Sequence, residues 1–247
     1  MPKIYLSPAY HKYNVCCIPG CDETTHNNLY LDELEPYLKA CGIEYKRGTR
    51  RVPKSNEDGD ILMRQAVAES NAWKPDVHYV SHTNGFDSKV DEKGNYIKYG
   101  SEKGYRPMIY SGAPANKELA DIMVKWRKKI YPYDAAIYYR PDLYELNATS
   151  AIAFYEEHVF HDNPDDAKWF HDNLRLIAEN TARAFCEYFK IEFVDPYAKP
   201  NGFWRLYEIE GALSTQRGAY SNKEGLLTHV EQLLDEGKTI RYEWVKK

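Results

Sequence analysis

The sequence lacks the features that would place it in several large classes of protein. It has no apolar run of about 18 residues, so we expect no membrane-spanning helix. Basic residues are not in excess, since 33 lysines and arginines stand against 37 aspartates and glutamates, for a net charge of -4. Broad binding of nucleic acid is therefore not expected. The N-terminus has no basic segment followed by an apolar one, so we expect no secretory signal peptide.

Cysteine is scarce, with five residues in 247, an odd number. Three of them lie close together, at Cys16, Cys17 and Cys21, and thiolates bind zinc well. Elsewhere the sequence has no further cysteine pair or Cys-His pair to complete a four-ligand structural site, because Cys41 and Cys186 are isolated. We therefore interpret the three as free thiols in a loop and keep this group as a rival metal site.

Strands and helices alternate along a chain that is long enough for one sizeable core and a small second module. Apolar runs at Lys3–Ser7, Ile43–Lys46 and Val77–Ser81 predict strands, and helical patterns cover Glu23–Ala40 and Asp58–Ala72. This alternation predicts an α/β fold with a mostly parallel, twisted sheet flanked by helices. In the second helix we expect the packed face to consist of Ile61, Leu62, Gln65, Ala68 and Glu69.

The alternation continues after a polar segment. Residues 87–105 are polar and contain glycine, which is typical of an exposed loop or hairpin. An apolar run at Ala151–Tyr155 predicts a strand, and a strong helix start follows it, with Asn163 as the cap and Pro164 in the first helical position. We expect one continuous helix from there to about Tyr188.

A domain boundary is predicted by two prolines and a glycine within Phe193–Gly202. We expect a larger domain over residues 1–195 and a small C-terminal module over residues 196–247. The pattern of the module is strand, helix, strand, at Trp204–Ile209, Lys223–Glu236 and Ile240–Trp244. This pattern predicts a β-α-β arrangement.

Two histidines and a glutamate stand where sites form in such a sheet. His11 follows the first predicted strand, His82 follows Val77–Ser81, and Glu23 opens a helix. Sites in open α/β sheets gather at the carboxyl ends of the strands. Two imidazoles and one carboxylate are a ligand set of hydrolytic zinc sites, with the fourth position left for water. Taken singly, each residue also has an ordinary role, as a loop histidine or as a glutamate at the positive end of a helix dipole.

A second glutamate at a strand end would complete such a site. The run Ala151–Tyr155 leads into Glu156 and Glu157. Neighbouring side chains on a strand face opposite ways, so only one of the two can point at the metal. That carboxylate would be the general base, and the strand pattern alone leaves the choice between Glu156 and Glu157 open.

Four short motifs follow one another over roughly the first 190 residues. They are Ser7-Pro-Ala-Tyr-His11, Glu23 with Asn27, Ser81-His-Thr-Asn84 and Glu157-His-Val-Phe160. Together they resemble the zinc-dependent N-acetylmuramoyl-L-alanine amidases of the amidase-3 type. In that family the corresponding motifs are Asp-Pro-Gly-His-Gly-Gly, Glu-x-x-x-Asn, Ser-x-His-x-Asn and Glu-x-Gly-Phe, the last carrying the catalytic glutamate.

The sequence departs from the family pattern at two places. The motif around His11 lacks the glycines and the aspartate, and Val159 replaces the glycine before Phe160. The ligand types are intact, whereas the shape of the loop around His11 is left open. The spacing to Phe160 favours Glu157 over Glu156 as the counterpart of the catalytic glutamate.

The resemblance implies the phosphorylase/hydrolase-like fold of the family and an activity on peptidoglycan. Zn²⁺ would be held by His11, Glu23 and His82, and Asn84 would contact substrate. The metal would make hydroxide available and polarise the amide carbonyl. Glu157 would take a proton from water and return it to the leaving nitrogen. The bond cleaved would join the lactyl group of N-acetylmuramic acid to L-alanine.

Without a signal peptide, such an enzyme would be made in the cytoplasm and reach the cell wall by release, as a phage endolysin does, or by another export route. The C-terminal module would bind the wall, mediate oligomerisation or pack on the core. Two alternatives stay open. One is another zinc amide hydrolase or a carboxypeptidase acting on cell-wall peptides, and the other is a wall-binding protein that has lost activity.

Several further residues are weaker candidates. His26 lies one turn after Glu23 and could reach the edge of the metal site. His158 and His161 flank the predicted base and are candidates for substrate contact. Arg64 matches a family position, and we expect it to brace the fold.

Overall fold

A computed structural model describes residues 1–11, 13–110, 114–198, 202–210, 213–221 and 223–246. The chain divides into two compact units, Met1–Pro196 and Tyr197–Lys247. Pro200, part of the predicted domain break, lies outside the described residues, and independent folding of the two units stays a prediction. Within the described ranges, no helix is long and apolar enough to cross a membrane.

Eight strands lie in the described part of the first unit. They are β1 (Lys3–Pro8), β2 (Glu44–Arg47), β3 (Val77–Asn84), β4 (Lys89–Val90), β5 (Tyr96–Lys98), β6 (Arg106–Ile109), β7 (Tyr138–Tyr139) and β8 (Ile152–Phe160). β4 and β5 form a hairpin within the polar segment, and the other six make one sheet in the order β2-β1-β3-β8-β6-β7. Neighbours in this sheet are parallel except β6 and β8. The predicted α/β fold with a mostly parallel sheet is confirmed.

Helices cover both faces of the sheet. They are α1 (Glu23–Ala40), α2 (Asn56–Trp73), α3 (Pro114–Arg127), α4 (Tyr144–Asn147), α5 (Pro164–Asp172) and α6 (Leu174–Phe189). Successive side chains of β1 separate the two faces. Ile4 and Leu6 pack in the large core with residues of α1, α3 and α6, whereas Tyr5 packs with Leu62 and Ala66 of α2 on the other side.

Two details of the helix predictions are wrong. The helix expected from Asn163 to Tyr188 is two helices, because Asn173 leaves helical geometry and its side-chain amide donates to the Trp169 carbonyl. In α2 Leu62 of the predicted packed face is buried, whereas Ile61, Gln65, Ala68 and Glu69 are exposed. The buried face of α2 includes Gly59, where any side chain would clash with the backbone carbonyl of Tyr10. The spacing of hydrophobic residues in the sequence does not show that this glycine is buried.

The described residues of the second unit form a small antiparallel sheet and one helix. Its elements are β9 (Gly202–Glu210), β10 (Leu213–Tyr220), α7 (Lys223–Asp235) and β11 (Thr239–Lys246). The strand order is β10-β9-β11, and Leu206, Leu226, Val230 and Leu233 form its core. The predicted β-α-β pattern omitted β10. This edge strand is largely exposed and polar, so it lacks the apolar alternation on which the prediction relied.

Candidate active site

One cavity of about 390 Å³ lies at the carboxyl ends of β3 and β8. Its lining includes the three predicted metal ligands His11, Glu23 and His82, the predicted base Glu157, and Asn84. Both strands continue further than predicted, so that His82 and Glu157 belong to the strands and face each other as register partners. The fold therefore brings together five residues that the sequence spreads over 147 positions.

Glu23 occupies the first position of α1, where the cap Asp22 accepts a hydrogen bond from the Thr25 amide at 2.8 Å. The Glu23 carboxylate is buried and held at both oxygens. Oε1 accepts from the Thr83 amide at 3.0 Å, and Oε2 accepts from the Asn14 amide group at 2.6 Å. Burial acts to raise the pKa of Glu23, but the neighbouring His82 outweighs it and lowers the pKa to about 2. The group is therefore an anion at neutral pH.

His82 is buried between aromatic and acidic neighbours. Its Nδ1 lies 3.0 Å from Glu23 Oε1, and its ring stacks on Tyr155 with centroids 4.5 Å apart. The ring of His11, at the exposed side of the cavity, meets it edge-on at 5.2 Å. Burial lowers the pKa of His82, but the charge of Glu23 and the hydrogen bond to it prevail, so the net shift is upward. An imidazole and a carboxylate this close are a usual pair of zinc ligands.

The two candidate bases point to opposite sides of the sheet. Glu157 lines the cavity, and its Oε2 is buried without a hydrogen-bond partner among the residues that the structure describes. Burial raises the pKa of Glu157 to about 8, despite the opposing charge of His82. Glu156 is fully buried on the other face, where it pairs with Arg127 Nη2 at 2.6 Å and accepts a hydrogen bond from Tyr79. Only Glu157 can therefore reach a substrate in this cavity.

Sequence reasoning missed Glu145, a buried carboxylate close to His82. Its Oε1 accepts from Ser7 Oγ at 2.5 Å and lies 3.3 Å from His78 Nε2, while its Oε2 lies 4.0 Å from His82 Nε2. Glu145 also lines a second cavity of about 130 Å³ that shares His11 with the first. The residue belongs to the four-residue helix α4 and to none of the motifs, so only the tertiary structure locates it.

The weaker candidates divide between the cavity and the core. His161 lines the cavity, with its Nδ1 2.9 Å from the Thr83 carbonyl oxygen. His158 is fully buried against Ser81 and Arg127, which excludes the expected substrate contact. The Arg64 guanidinium lies 4.4 Å from the centre of the Tyr144 ring, a packing contact consistent with bracing.

His26 does not reach the predicted metal site. Its Nδ1 lies 3.7 Å from Cys16 Sγ, and its Nε2 lies 3.2 Å from His171 Nδ1. Cys16, Cys21 and His26 are the group of described residues whose donor atoms all lie within 4.8 Å of one another. The donors of His11, Glu23 and His82 are not gathered that closely. The five cysteines, all within the described part of the chain, are free thiols.

The fold is that of the catalytic domains of N-acetylmuramoyl-L-alanine amidases. The catalytic domain of CwlV from Bacillus (Paenibacillus) polymyxa var. colistinus superposes with a TM-score of 0.62 at 16% identity, covering 78% of this chain and 100% of that domain. For the CwlD amidase of Clostridioides difficile the TM-score is 0.60 at 13% identity, with coverage of 77% and 99%. For the catalytic domain of the CD27L endolysin targeting Clostridia difficile, the TM-score is 0.57 at 16% identity, with coverage of 79% and 100%.

No protein-family model matches the sequence, and a search of curated proteins gave no match either. At identities of 13% to 16% the structural likeness establishes the fold alone. The predicted resemblance to the amidase-3 type is therefore confirmed for the fold. The activity depends on what the residues of the cavity can do.

Proposed function

We propose that the protein is a zinc-dependent N-acetylmuramoyl-L-alanine amidase that hydrolyses the bond between N-acetylmuramic acid and L-alanine in peptidoglycan. The observation that carries the proposal is the shared cavity of His11, Glu23, His82 and Glu157 in a fold that solved amidases have. Each of the four was predicted from the sequence before the fold brought them together.

The donor set fits Zn²⁺. His11, Glu23 and His82 would hold the ion, and two imidazoles with one carboxylate leave a position for water. Glu23 is anionic, as a carboxylate ligand must be, and its second oxygen is fixed by Asn14. When bound, zinc would lower the pKa of water to about 7 and polarise the scissile carbonyl.

The chain's own acid–base chemistry is assigned to Glu157. Its unpartnered Oε2 lines the cavity beside His82, and it would accept a proton from the attacking water. The same carboxyl group would then donate this proton to the leaving nitrogen, without which an amide nitrogen departs poorly. A pKa raised by burial suits both steps, because such a group gains and loses a proton near neutral pH.

Asn84 and His161 would contact the substrate. Both residues line the cavity, and an amide and an imidazole can bond the polar groups of a glycopeptide. The enzyme would act on the cell wall after release or export from the cytoplasm. The second unit, over residues 197–247, would bind the wall or mediate self-association.

A zinc carboxypeptidase is the second candidate. It would need a cation to hold the terminal carboxylate of its substrate. Arg106 and Arg140 line a neighbouring cavity of about 310 Å³ that shares Asn84 with the candidate active site. Both arginines already have acidic neighbours, Asp134 and Asp142, which weakens this alternative.

Digestion of purified peptidoglycan, followed by mass spectrometry of the products, tests the proposal. An amidase releases peptides with a new N-terminal alanine and leaves the glycan strands intact. Release of single amino acids from peptide C-termini would support the carboxypeptidase instead. The same digestion with Glu157→Gln is the matched control, and unchanged product formation by that variant would contradict the assigned base.

A further inference from the structure

A second group of metal-binding side chains lies outside the candidate active site. Cys16, Cys21 and His26 are 3%, 9% and 1% exposed, and their donor atoms all lie within 4.8 Å of one another. None of the three lines the cavity of His11, Glu23 and His82. Two thiols and an imidazole are a soft donor set that favours zinc over calcium or magnesium.

The distance between two of the donors matches a tetrahedral metal site. With Zn–S and Zn–N bonds of about 2.3 Å and 2.05 Å, a tetrahedral angle separates sulfur and nitrogen by about 3.6 Å. Cys16 Sγ and His26 Nδ1 are 3.7 Å apart. The pair therefore already stands at the spacing that a shared metal ion requires.

Backbone hydrogen bonds hold the two cysteines in place. The Cys16 amide donates to the Cys21 carbonyl at 3.2 Å, and Val15 and Asp22 form a bridge just outside them. The turn between the cysteines is closed by the Cys21 amide, which donates to the Ile18 carbonyl at 3.2 Å. Both thiols thus approach His26 from one short, ordered loop.

The imidazole is oriented from its far side. His26 Nε2 lies 3.2 Å from His171 Nδ1 of α5, and the His26 ring meets Phe170 edge-on with centroids 4.8 Å apart. A histidine that binds a metal with one ring nitrogen usually hydrogen-bonds through the other, which fixes its tautomer. With Nε2 occupied by His171, Nδ1 is left for the side where Cys16 lies.

We propose that Cys16, Cys21 and His26 bind a second Zn²⁺ ion. Three protein ligands leave one position for solvent. The ion would fasten the segment between His11 and Glu23, two of the proposed active-site ligands, to α1. This binding does not depend on the proposed amidase activity, because it involves none of the residues assigned to catalysis.

Cobalt substitution of the full chain tests this site. Protein purified under reducing conditions is freed of metal and titrated with Co²⁺, whose thiolate complexes give an intense near-ultraviolet charge-transfer band. Imidazole and carboxylate ligands alone do not give this band, so the candidate active site is silent. We expect the band to reach its full intensity by about two equivalents of Co²⁺, because the proposed active site takes up metal without adding to the band, and we expect Zn²⁺ to abolish it by displacement.

Variants assign the band to named residues. Cys16→Ser and Cys21→Ser should lose it, whereas Cys17→Ser, in the same loop, should keep it. His82→Ala should also keep it, even if that variant has no activity, so failure of the proposed function and failure of this inference are distinguishable. Circular dichroism reports whether each variant is folded.

Three results would overturn the inference. The first is a folded chain, kept reduced, that gives no band with Co²⁺. The second is a band that persists in the double variant of Cys16 and Cys21. The third is an equal loss of the band in Cys17→Ser. The first result needs no variant, so a serine variant that fails to fold leaves the test intact.

Discussion

Replacing Glu157 by glutamine and, separately, Glu156 by glutamine separates catalysis from stability on a single strand. Glu157 faces the cavity beside His82, whereas Glu156 is paired with Arg127 on the opposite face. The two substitutions make the same chemical change at adjacent positions of β8. Each variant is therefore the matched control for the other.

The two substitutions should change different quantities: the catalytic rate for Glu157→Gln and the folding stability for Glu156→Gln. Loss of a general acid–base group lowers the rate by about 100- to 10,000-fold, or about 3 to 5 kcal/mol of barrier. Loss of the Glu156 charge leaves Arg127 buried without its counter-charge, which costs about 3 to 5 kcal/mol of folding free energy. In a chain of this size that corresponds to a fall of roughly 6 to 20 °C in Tm. Glutamine can still accept a hydrogen bond from Arg127, so the smaller figure is expected.

Glu157→Gln should raise the free energy of unfolding of the zinc-free protein or leave it unchanged. Burial raises the pKa of Glu157 to about 8, so the folded chain holds this proton more tightly than the unfolded chain does. The resulting penalty is absent below the unfolded pKa and grows as the pH rises towards the folded pKa. Glutamine removes the penalty at neutral pH, and the Tm of the zinc-free variant should not fall.

The assay is the rate of muropeptide cleavage per folded molecule, together with Tm and bound zinc for each variant. We expect Glu157→Gln to keep its zinc and lose activity, and Glu156→Gln to lose stability while the folded fraction stays active. Exchanged phenotypes would refute the reasoning, because they would mean that β8 is one residue out of register.

Three other predictions follow from the same geometry. His82→Ala should lose the active-site zinc and all activity, measured by metal analysis and peptidoglycan digestion; full retention of zinc by both His82→Ala and His11→Ala would place the only metal elsewhere. Glu145→Gln should weaken zinc binding by roughly tenfold, whereas Asp142→Asn, at an exposed position three residues earlier, should not; equal affinities in a zinc titration would contradict a supporting role. A chain ending at Asp195 should fold and cleave soluble muropeptides, and if the tail binds wall it should lose activity mainly on intact sacculi; equal losses on both substrates would count against a tethering role.

The sequence predicted most of the sheet because buried strands and their flanking helices leave strong periodic patterns. β1 and β3 appear as apolar runs, and Asn163 with Pro164 marks the start of α5 correctly. The errors occur where pairing or packing with another element, and not apolar periodicity, decides the structure. β10 is polar on an exposed edge, and the buried face of α2 includes a glycine fitted against Tyr10.

The candidate site was predictable in part for a similar reason. Four residues of the site occur in short motifs near strand or helix ends, and the order of these motifs along the sequence reveals them: His11, Glu23, His82 and Glu157. Glu145 has no such mark, since it lies near His82 from the four-residue helix α4 and belongs to none of the motifs. The sequence also contains no sign that His26 lies next to Cys16. Helical spacing alone suggested that His26, one turn after Glu23, would lie near the predicted metal site.

The segment between His11 and Glu23 connects two of the proposed active-site ligands and also carries the cysteine group. Holding a loop in one conformation costs about 1 to 2 kcal/mol for each residue, and this loop must place both His11 and Glu23, two of the proposed ligands. The structure shows what offsets that cost: the Glu23 amide donates to the Asn14 carbonyl, and the Cys17 amide donates to the carbonyl of His161. Both bonds are 2.9 Å long and tie the loop to α1 and to the end of β8. The motif around His11 lacks the glycines of the amidase-3 pattern, so the shape of this loop must come from such contacts. A metal held by the loop cysteines would add to the same restraint, and its loss should weaken zinc binding at His11 and Glu23 before it affects the rest of the fold.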